Sequence, residues 1–416
     1  MKALVLAGGF PQITLIEQLK NRGITTVLAD YNKEPVAKKY ADIYYQESTQ
    51  DLETIERIAR EEKVDFLITV SSESALKTVA IVSDRLGLPC YVTEDTVNKI
   101  TNKAYMKKVF AEKGIPNAKH VVLHKGESIS AEEFTFPVIV KPADCYSSSG
   151  VRKVWNAREF DEAVAEGQKM GKSGTVLIEE FLDGIELSVD AFVVDGKAHV
   201  LCITNSDKIA EDDRFVIYRG NYPGVDPLDE VRPQVEHIVQ QVAEVFGLVN
   251  SPLLVQMIYA DGKLNVLECS ARNGGSAKFL LVKRSCGFDL VNAIIDLTLG
   301  KKPEIGSLRG ENKYVSNEYL YCRPGVFDRL EGFEELKQEG IISDYYLFKW
   351  KSLKTGDVTN SGDRLAGFTI QADTKEEMNR KHNLAVSRIR ILDINGEDML
   401  RKDLIGDLYP QVSRSK

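Results

Sequence analysis

The N-terminal stretch, residues 2–92, alternates short, continuously apolar runs with amphipathic ones, and that alternation leaves few folds open. KALVLA (2–7), TTVLAD (25–30) and VDFLITV (64–70) have no polar face to give to water and read as buried strands. Between and after them, QITLIEQLKNRG (ending at Gly23), DLETIERIAREEK and SESALKTVAIVSDRLG (ending at Gly87) carry helical spacing, and LPCYV reads as a further short strand. A helix between successive strands is the usual crossover of a parallel pair, so the pattern predicts a parallel sheet with helices on both faces. The AGGF turn and Asp30 invite a dinucleotide reading, but G-x-G-x-x-G is absent. The expectation is a Rossmann-like domain without a nicotinamide cofactor.

From about residue 97 the texture changes. TVNKITNKAYMKKVFAEKGIP is a basic helical segment stopped by Gly114 and Pro116. FPVIVKP and VRKVWN are strands around the small-residue loop ADCYSSSG, and AREFDEAVAEGQKMG is a helix. TVLIEEFL, DGIELSVDAFVVDG and KAHVLCITN read as strands, and SPLLVQMIYADGKLNVLECSA reads as a hairpin turning at Asp261-Gly262. LVKRSCGFDLVNAIIDLTLG is helical. The C-terminal LAGFTIQAD, TKEEMNRKHNLAVSRI and RILDIN predict a smaller α+β cap. A chain of 416 residues exceeds one ordinary core. The predicted domains are 1–96 (α/β), 97–310 (α+β, largely antiparallel) and 311–416 (the cap).

The net charge of −8 argues against a broad basic face for nucleic acid. No apolar run approaches the ~20 residues of a membrane span, and MKALVLAGGF reads as a first strand rather than a signal peptide. The six cysteines are scattered without a CxxC pair, which suggests a reduced, cytoplasmic setting. His120 and His124 flank a strand-like VVL, where four-residue spacing gives no shared face, so a histidine metal site is not expected.

Several residues can carry chemistry. Ser147, Ser148, Ser149 and Gly150 follow directly after the strand bearing Lys141. Small residues let backbone N–H groups approach an anion, and the lysine adds a charge; the alternative is a plain hairpin tip. Glu179 and Glu186 bracket a connector that suits adenine and ribose, or is a solvated acidic turn. Gln256 and Glu268 lie on the two strands of one hairpin, and both can offer oxygens to Mg²⁺. Arg272 follows, with a planar fork for phosphate or carboxylate, or for a surface ion pair.

In this order, NKAYMKKVFAEKGIP, VIVKPADCYSSSG, VLIEEFLDGIE and VQMIYADGKLNVLECSAR resemble the ATP-grasp superfamily over essentially the whole chain. The resemblance implies a Rossmann-like preceding domain, an ATP-grasp fold and a biotin-carboxylase-like cap. It implies ATP and Mg²⁺ (or Mn²⁺), with Lys103 and Lys141 on the phosphates and Ser147–Gly150 as the phosphate loop. Glu179 would take the adenine amino group, Phe181 and Leu182 would supply backbone groups, and Glu186 would hold the ribose. Gln256 and Glu268 would ligate metal. Ser270 departs from the usual Asn of E-x-N-x-R, which leaves the second metal position open. ARNGGSAKFLLVKRSCGFDL resembles the amino-acid ligase branch, which implies that Gly274 and Gly275 would offer backbone N–H groups to a substrate carboxylate or acyl phosphate and that Arg272, a catalytic residue with Lys141, would stabilise the tetrahedral intermediate.

The implied activity is a carboxylate–amine ligase acting through an acyl phosphate on small-molecule substrates, with no nucleic-acid or membrane partner and a homodimer as the default. Carbamoyl-phosphate-synthase-like and biotin-carboxylase-like chemistry, and a non-catalytic nucleotide sensor, are the alternatives. Residues 207–227, with Lys208, Arg214 and Tyr218, read as a substrate-facing loop or a solvated connection.

Overall fold

The computed structural model describes residues 1–145, 149–209, 215–308, 310 and 313–408. The first segment holds β1 (Lys2–Leu6), α1 (Phe10–Asn21), β2 (Thr25–Asp30), β3 (Ile43–Gln46), α2 (Leu52–Glu61), β4 (Phe66–Ile68) and α3 (Glu73–Leu86). Its four strands form a parallel sheet in the order β3-β2-β1-β4. Asp30 is spent locally: its carboxylate accepts the Gly8 N–H at 2.7 Å and the Asn32 N–H at 2.8 Å, which pins the β1–α1 turn. LPCYV, expected as a strand, is not one. Cys90 and Tyr91 pack as loop against the central core, and the Tyr91 hydroxyl reaches the Ala271 carbonyl at 3.2 Å.

The single basic helix expected at 96–116 is two, α4 (Glu94–Ile100) and α5 (Lys103–Lys113). Asn102 breaks it, because its side chain caps α5 by accepting the Tyr105 N–H at 3.0 Å. β5 (His120–Leu123), β6 (Val138–Pro142), β7 (Arg152–Val154), α6 (Ala157–Met170) and β8 (Val176–Glu180) make an antiparallel sheet ordered β5-β8-β6-β7, with α6 across it. β9 (Ile185–Val194), β10 (Lys197–Asn205), β11 (Asp207–Lys208), β12 (Ile217–Tyr222), α7 (Leu228–Val245), β13 (Ser251–Ala260) and β14 (Lys263–Ser270) follow. The second large sheet is β10-β9-β13-β14. Its β13–β14 hairpin turns where Asp261 (φ 50°) and Gly262 (φ 73°) are both left-handed, as a two-residue turn matched to strand twist requires.

α8 (Lys278–Cys286) and α9 (Leu290–Thr298) lead to β15 (Tyr314–Leu320), β16 (Gly325–Glu331), α10 (Phe333–Gln338), β17 (Asp344–Leu347), β18 (Lys354–Thr355), β19 (Ala366–Ala372), α11 (Lys375–Arg388) and β20 (Arg390–Asp393). The five-stranded sheet β11-β12-β15-β19-β17 draws strands from before and after residue 311, so the middle segment and the cap are interleaved. Within residues 207–227, Asp207–Lys208 and Ile217–Tyr222 are strands of this sheet rather than an open connection. Arg214 lies outside the described residues.

The segments share apolar cores. One cluster joins Leu76, Val97 and Phe110 to Val189, Val255 and Val266. Another joins Leu15 and Phe66 to Phe192, Leu281, Ile294 and Val315. Close-packed interiors transmit position, so the cleft between these segments has fixed walls.

Candidate active site

Strand and helix periodicity bring the charged side chains together. Lys103 and Lys107 are four apart on α5 and share a face. Lys141 on β6 is opposite Leu177 in the register that pairs β6 with β8, placing it beside Glu179. Gln256 and Glu268 are direct cross-strand partners on β13 and β14, and Ser270 lies two residues on. All border, or stand just behind, one cavity of about 730 Å³ between the segments.

Along this cavity, Glu179 is 3% exposed and held by two ammonium groups. Lys107 approaches at 2.7 Å and Lys141 closes on the other oxygen. Burial pushes the Glu179 carboxyl up, but Lys141 and Lys107 outweigh it and bring it down to about 2. Burial opposes the charge of Lys141 as well, yet Glu179 and Glu268 raise its affinity for the proton; for Lys107 burial wins and lowers it. The geometry thus commits Glu179 to these lysines, whereas the sequence reading had it take an adenine amino group.

Lys103 donates to the Cys145 carbonyl at 2.7 Å, where the loop after β6 begins, and stands 3.8 Å from Glu268. Burial works against the Glu268 charge, but Lys103, Lys141 and Arg272 hold its carboxyl below the usual range. Glu186 receives Lys208 at 2.5 Å and the Gln256 amide N–H at 3.2 Å. Phe181 and Leu182 line the cavity, and the Phe181 ring lies under Lys153, 3.8 Å from the ammonium. Ser149 also lines it, and Gly150 (φ 75°) has no room for a side chain: a Cβ would come 2.5 Å from the Met170 sulfur. Ser147 and Ser148 lie outside the described residues.

Arg272 reaches back to the first segment, pairing with Glu73 of α3 at 3.2 Å, and its buried Nε has no hydrogen-bond partner among the described residues. Burial pushes the Glu73 carboxyl above the usual range; Arg272 opposes and Glu268 adds to the rise. The neighbouring Asn273 exchanges hydrogen bonds with Ser71, at 2.9 Å to the backbone and 2.7 Å to the hydroxyl. Gly275 faces the cavity. The Gly274 N–H is instead taken by buried Asp190 at 2.6 Å, and Asp190 also pairs with Lys278 at 3.2 Å. That N–H, expected to meet substrate, is used to shape the turn. Glu73, Lys107, Asp190 and Lys278 escaped the sequence reading; only Lys107, four residues after Lys103, left a local signal.

Among the described residues no group of three or more His, Cys, Asp or Glu converges as a metal cluster. The donors that do converge still suit Mg²⁺. Glu268 is kept ionised, the Gln256 amide nitrogen is turned to Glu186 so that its oxygen is the remaining donor, and the Ser270 hydroxyl is 2% exposed with no hydrogen-bond partner. A hard cation that keeps waters and takes phosphate oxygens fits so small an oxygen set.

Residues 134–278 match the family model described as an ATP-grasp domain. The chain carries an ATP-grasp domain. The chain superposes on the L-amino acid ligase of Bacillus licheniformis with a TM-score of 0.79 at 18% identity, over 94% of this chain and 98% of that one, so the two share a fold that includes the flanking segments. The chain is 27% identical to the D-alanine–D-alanine ligase of Parabacteroides distasonis over 234 residues, 51% of this chain and 68% of that protein. It is 24% identical to the carbamoyl phosphate synthase large chain of Pyrococcus furiosus over 423 aligned positions, which span 94% of this chain but only 38% of the synthase. No helix among the described residues is long and apolar enough to cross a membrane.

Proposed function

We propose that the protein is an ATP-dependent carboxylate–amine ligase that forms an amide or peptide bond and releases ADP and phosphate. The observation that carries this reading is the convergence of Lys103, Lys141, Gln256, Glu268 and Arg272 on one cavity closed by the cap. In the ligase, a carboxylate oxygen attacks the γ-phosphorus as its bond to ADP breaks. The amine nitrogen then attacks the acyl-phosphate carbon, phosphate departs with its bridging oxygen, and the nitrogen gives up a proton. The first transfer needs charge compensation and alignment more than covalent help.

Lys103 and Lys141 neutralise phosphate oxygens. Lys141 is held ready by Glu179, and Lys103 ties the loop after β6 to the Glu268 hairpin. Phe181, Leu182 and Glu186 bound the nucleoside end, with Lys208 and Gln256 fixing the Glu186 carboxylate. Gln256 and Glu268, with Ser270 behind them, are the residues that would hold Mg²⁺, which when bound supplies positive charge to the phosphates. Arg272, oriented by Glu73, presents its fork to the acyl phosphate or the oxyanion. Walls built from three segments surround the cavity and limit the approach of water, which protects the intermediate.

The test is ADP release with Mg-ATP and pairwise panels of amino acids and small carboxylates. Turnover with a carboxylate–amine pair, at least ~100-fold lower in Glu268→Gln with an unchanged melting profile, supports the reading. Nucleotide binding with no turnover on any pair points instead to a non-catalytic sensor.

A further inference from the structure

Lys103 and Lys141 line the cavity from the middle segment. The cap end of its lining is built from other residues, and nothing in the proposed nucleotide chemistry uses them. Phe348 and Lys349, just past β17, both line it, with Tyr319 of β15 and Arg364 beside the short 3₁₀ turn Ser361–Asp363. The rings are packed on one another: Tyr319 and Phe348 centroids are 6.1 Å apart, and Phe348 meets Tyr346 at 5.3 Å. They form a firm apolar wall.

The two cations differ. Arg364 is committed to that wall. It donates to the Tyr321 hydroxyl at 3.2 Å, to the Ile217 carbonyl at 3.3 Å and to the Ser276 hydroxyl, and it lies 4.2 Å over the Tyr319 ring. Lys349 is half-buried and makes no hydrogen bond or ion pair within the described residues. Burial pulls its proton affinity down, opposed only by the field of Asp363. An ammonium withdrawn from water beside an aromatic wall is costly unless an anion meets it.

We propose that this end of the cavity is a substrate subsite that seats a non-reacting anionic group on Lys349 and an adjoining apolar or aromatic moiety against Phe348 and Tyr319. In the ligase this makes one substrate, the amine, a molecule with a free carboxylate or phosphonate-like anion next to an apolar side chain. That assignment to a substrate rests on the ligase reading; the subsite itself does not.

The probes are therefore chosen to work without turnover. The full chain, saturated with Mg²⁺ and a non-hydrolysable ATP analogue, is titrated calorimetrically with 3-phenylpropionate, 2-phenylethylphosphonate and neutral 3-phenylpropionamide. The expected result is anion binding at least ~10-fold tighter than amide binding, lost in Lys349→Met, largely kept in Lys349→Arg, and lost for all three probes in Phe348→Ala. Preference between the two anions identifies the headgroup. Equal affinity for anion and amide, no detectable binding, or no effect of Lys349→Met at unchanged thermal stability overturns the subsite. Once an active pair is known, Lys349→Met should raise KM for one substrate and leave KM for ATP unchanged. Turnover with both KM values unaffected overturns the subsite and leaves the ligase standing; failure of every pair to turn over sinks the ligase and leaves the binding result to judge the subsite.

Discussion

Glu179→Gln removes the anion shared by Lys107 and Lys141 while keeping the shape of the side chain. In the wild type the Glu179 carboxyl titrates at about 2 in the folded protein against an ordinary 4.5. A depressed carboxyl contributes stability that is fully present above the unfolded value and is lost as pH falls through the folded one. At neutral pH this linkage is worth about 3 kcal/mol. Breaking a buried pair by deleting one partner costs ~3–5 kcal/mol, so two independent routes give the same order. The variant leaves two buried ammonium groups facing one another, and Lys107, 1% exposed, is the one whose proton affinity is already lowered. It can relieve the strain only by losing its proton. A lysine whose folded pKa lies below its unfolded value gains stability as pH rises between the two.

Glu179→Gln should therefore be ~3 kcal/mol less stable at pH 7 and recover part of that by pH 9. The wild type should show a smaller gain, because Glu179 still faces Lys107 and the raised Lys141 works against it, and should lose the Glu179 contribution only as pH falls below 4.5 toward about 2. The chain has two tryptophans, Trp155 beside β7 and Trp350 in the cap. Urea denaturation followed by Trp155 fluorescence in a Trp350→Phe background reports the sheet that contains Glu179. A loss under ~1 kcal/mol at pH 7, or a loss independent of pH up to 9, would refute the claim that Glu179 is the charge anchor of Lys107 and Lys141.

Two further outcomes follow from the loops around the cavity. Gly150→Val meets both a left-handed backbone angle and a Cβ placed 2.5 Å from the Met170 sulfur, so it should lower stability by about 1–3 kcal/mol and raise KM for ATP; unchanged KM would separate this loop from the nucleotide. Asp190→Asn keeps an acceptor for the Gly274 N–H but strips the charge from beside Lys278, and should lower ligase kcat ~10-fold with KM for ATP unchanged, since Asp190 shapes the Arg272–Gly275 turn without touching the nucleotide. Steady-state kinetics at saturating acceptor checks both.

What the sequence made legible depended on how locally each feature is determined. β1, β2 and the β13–β14 hairpin could be read because continuous apolar runs and an Asp-Gly turn act within a few residues. β15 could not. It buries Ser316, Asn317 and Glu318 consecutively, and polar residues in a row look like surface. They are tolerable only because distant groups satisfy them: Arg219 reaches Glu318 at 2.6 Å, Ser316 donates to the same carboxylate, and Thr369 donates to Asn317 at 2.7 Å. α7 was hidden in a similar way by Pro233 within its span.

The same distinction separates the site residues. Lys103, Lys141, Gln256, Glu268 and Arg272 sit in motifs whose spacing is local, and they border the same cavity. The surroundings of Glu179 and Gly274 were not legible because each is set by a partner elsewhere in the chain: Lys107 and Lys141 for the carboxylate, Asp190 for the N–H. Ser270 belongs with these. In β14 it occupies the place after Glu268 on the same side of the strand, opposite Leu254, and its hydroxyl is buried without a partner. An asparagine would need more room and another donor–acceptor pair in that position. A serine leaves one small unsatisfied oxygen behind Glu268, which a water bound to the cation can satisfy at little cost. The departure from E-x-N-x-R therefore bears on how a second position would be filled, beside the charged groups Lys103, Lys141, Glu268 and Arg272 that border the cavity.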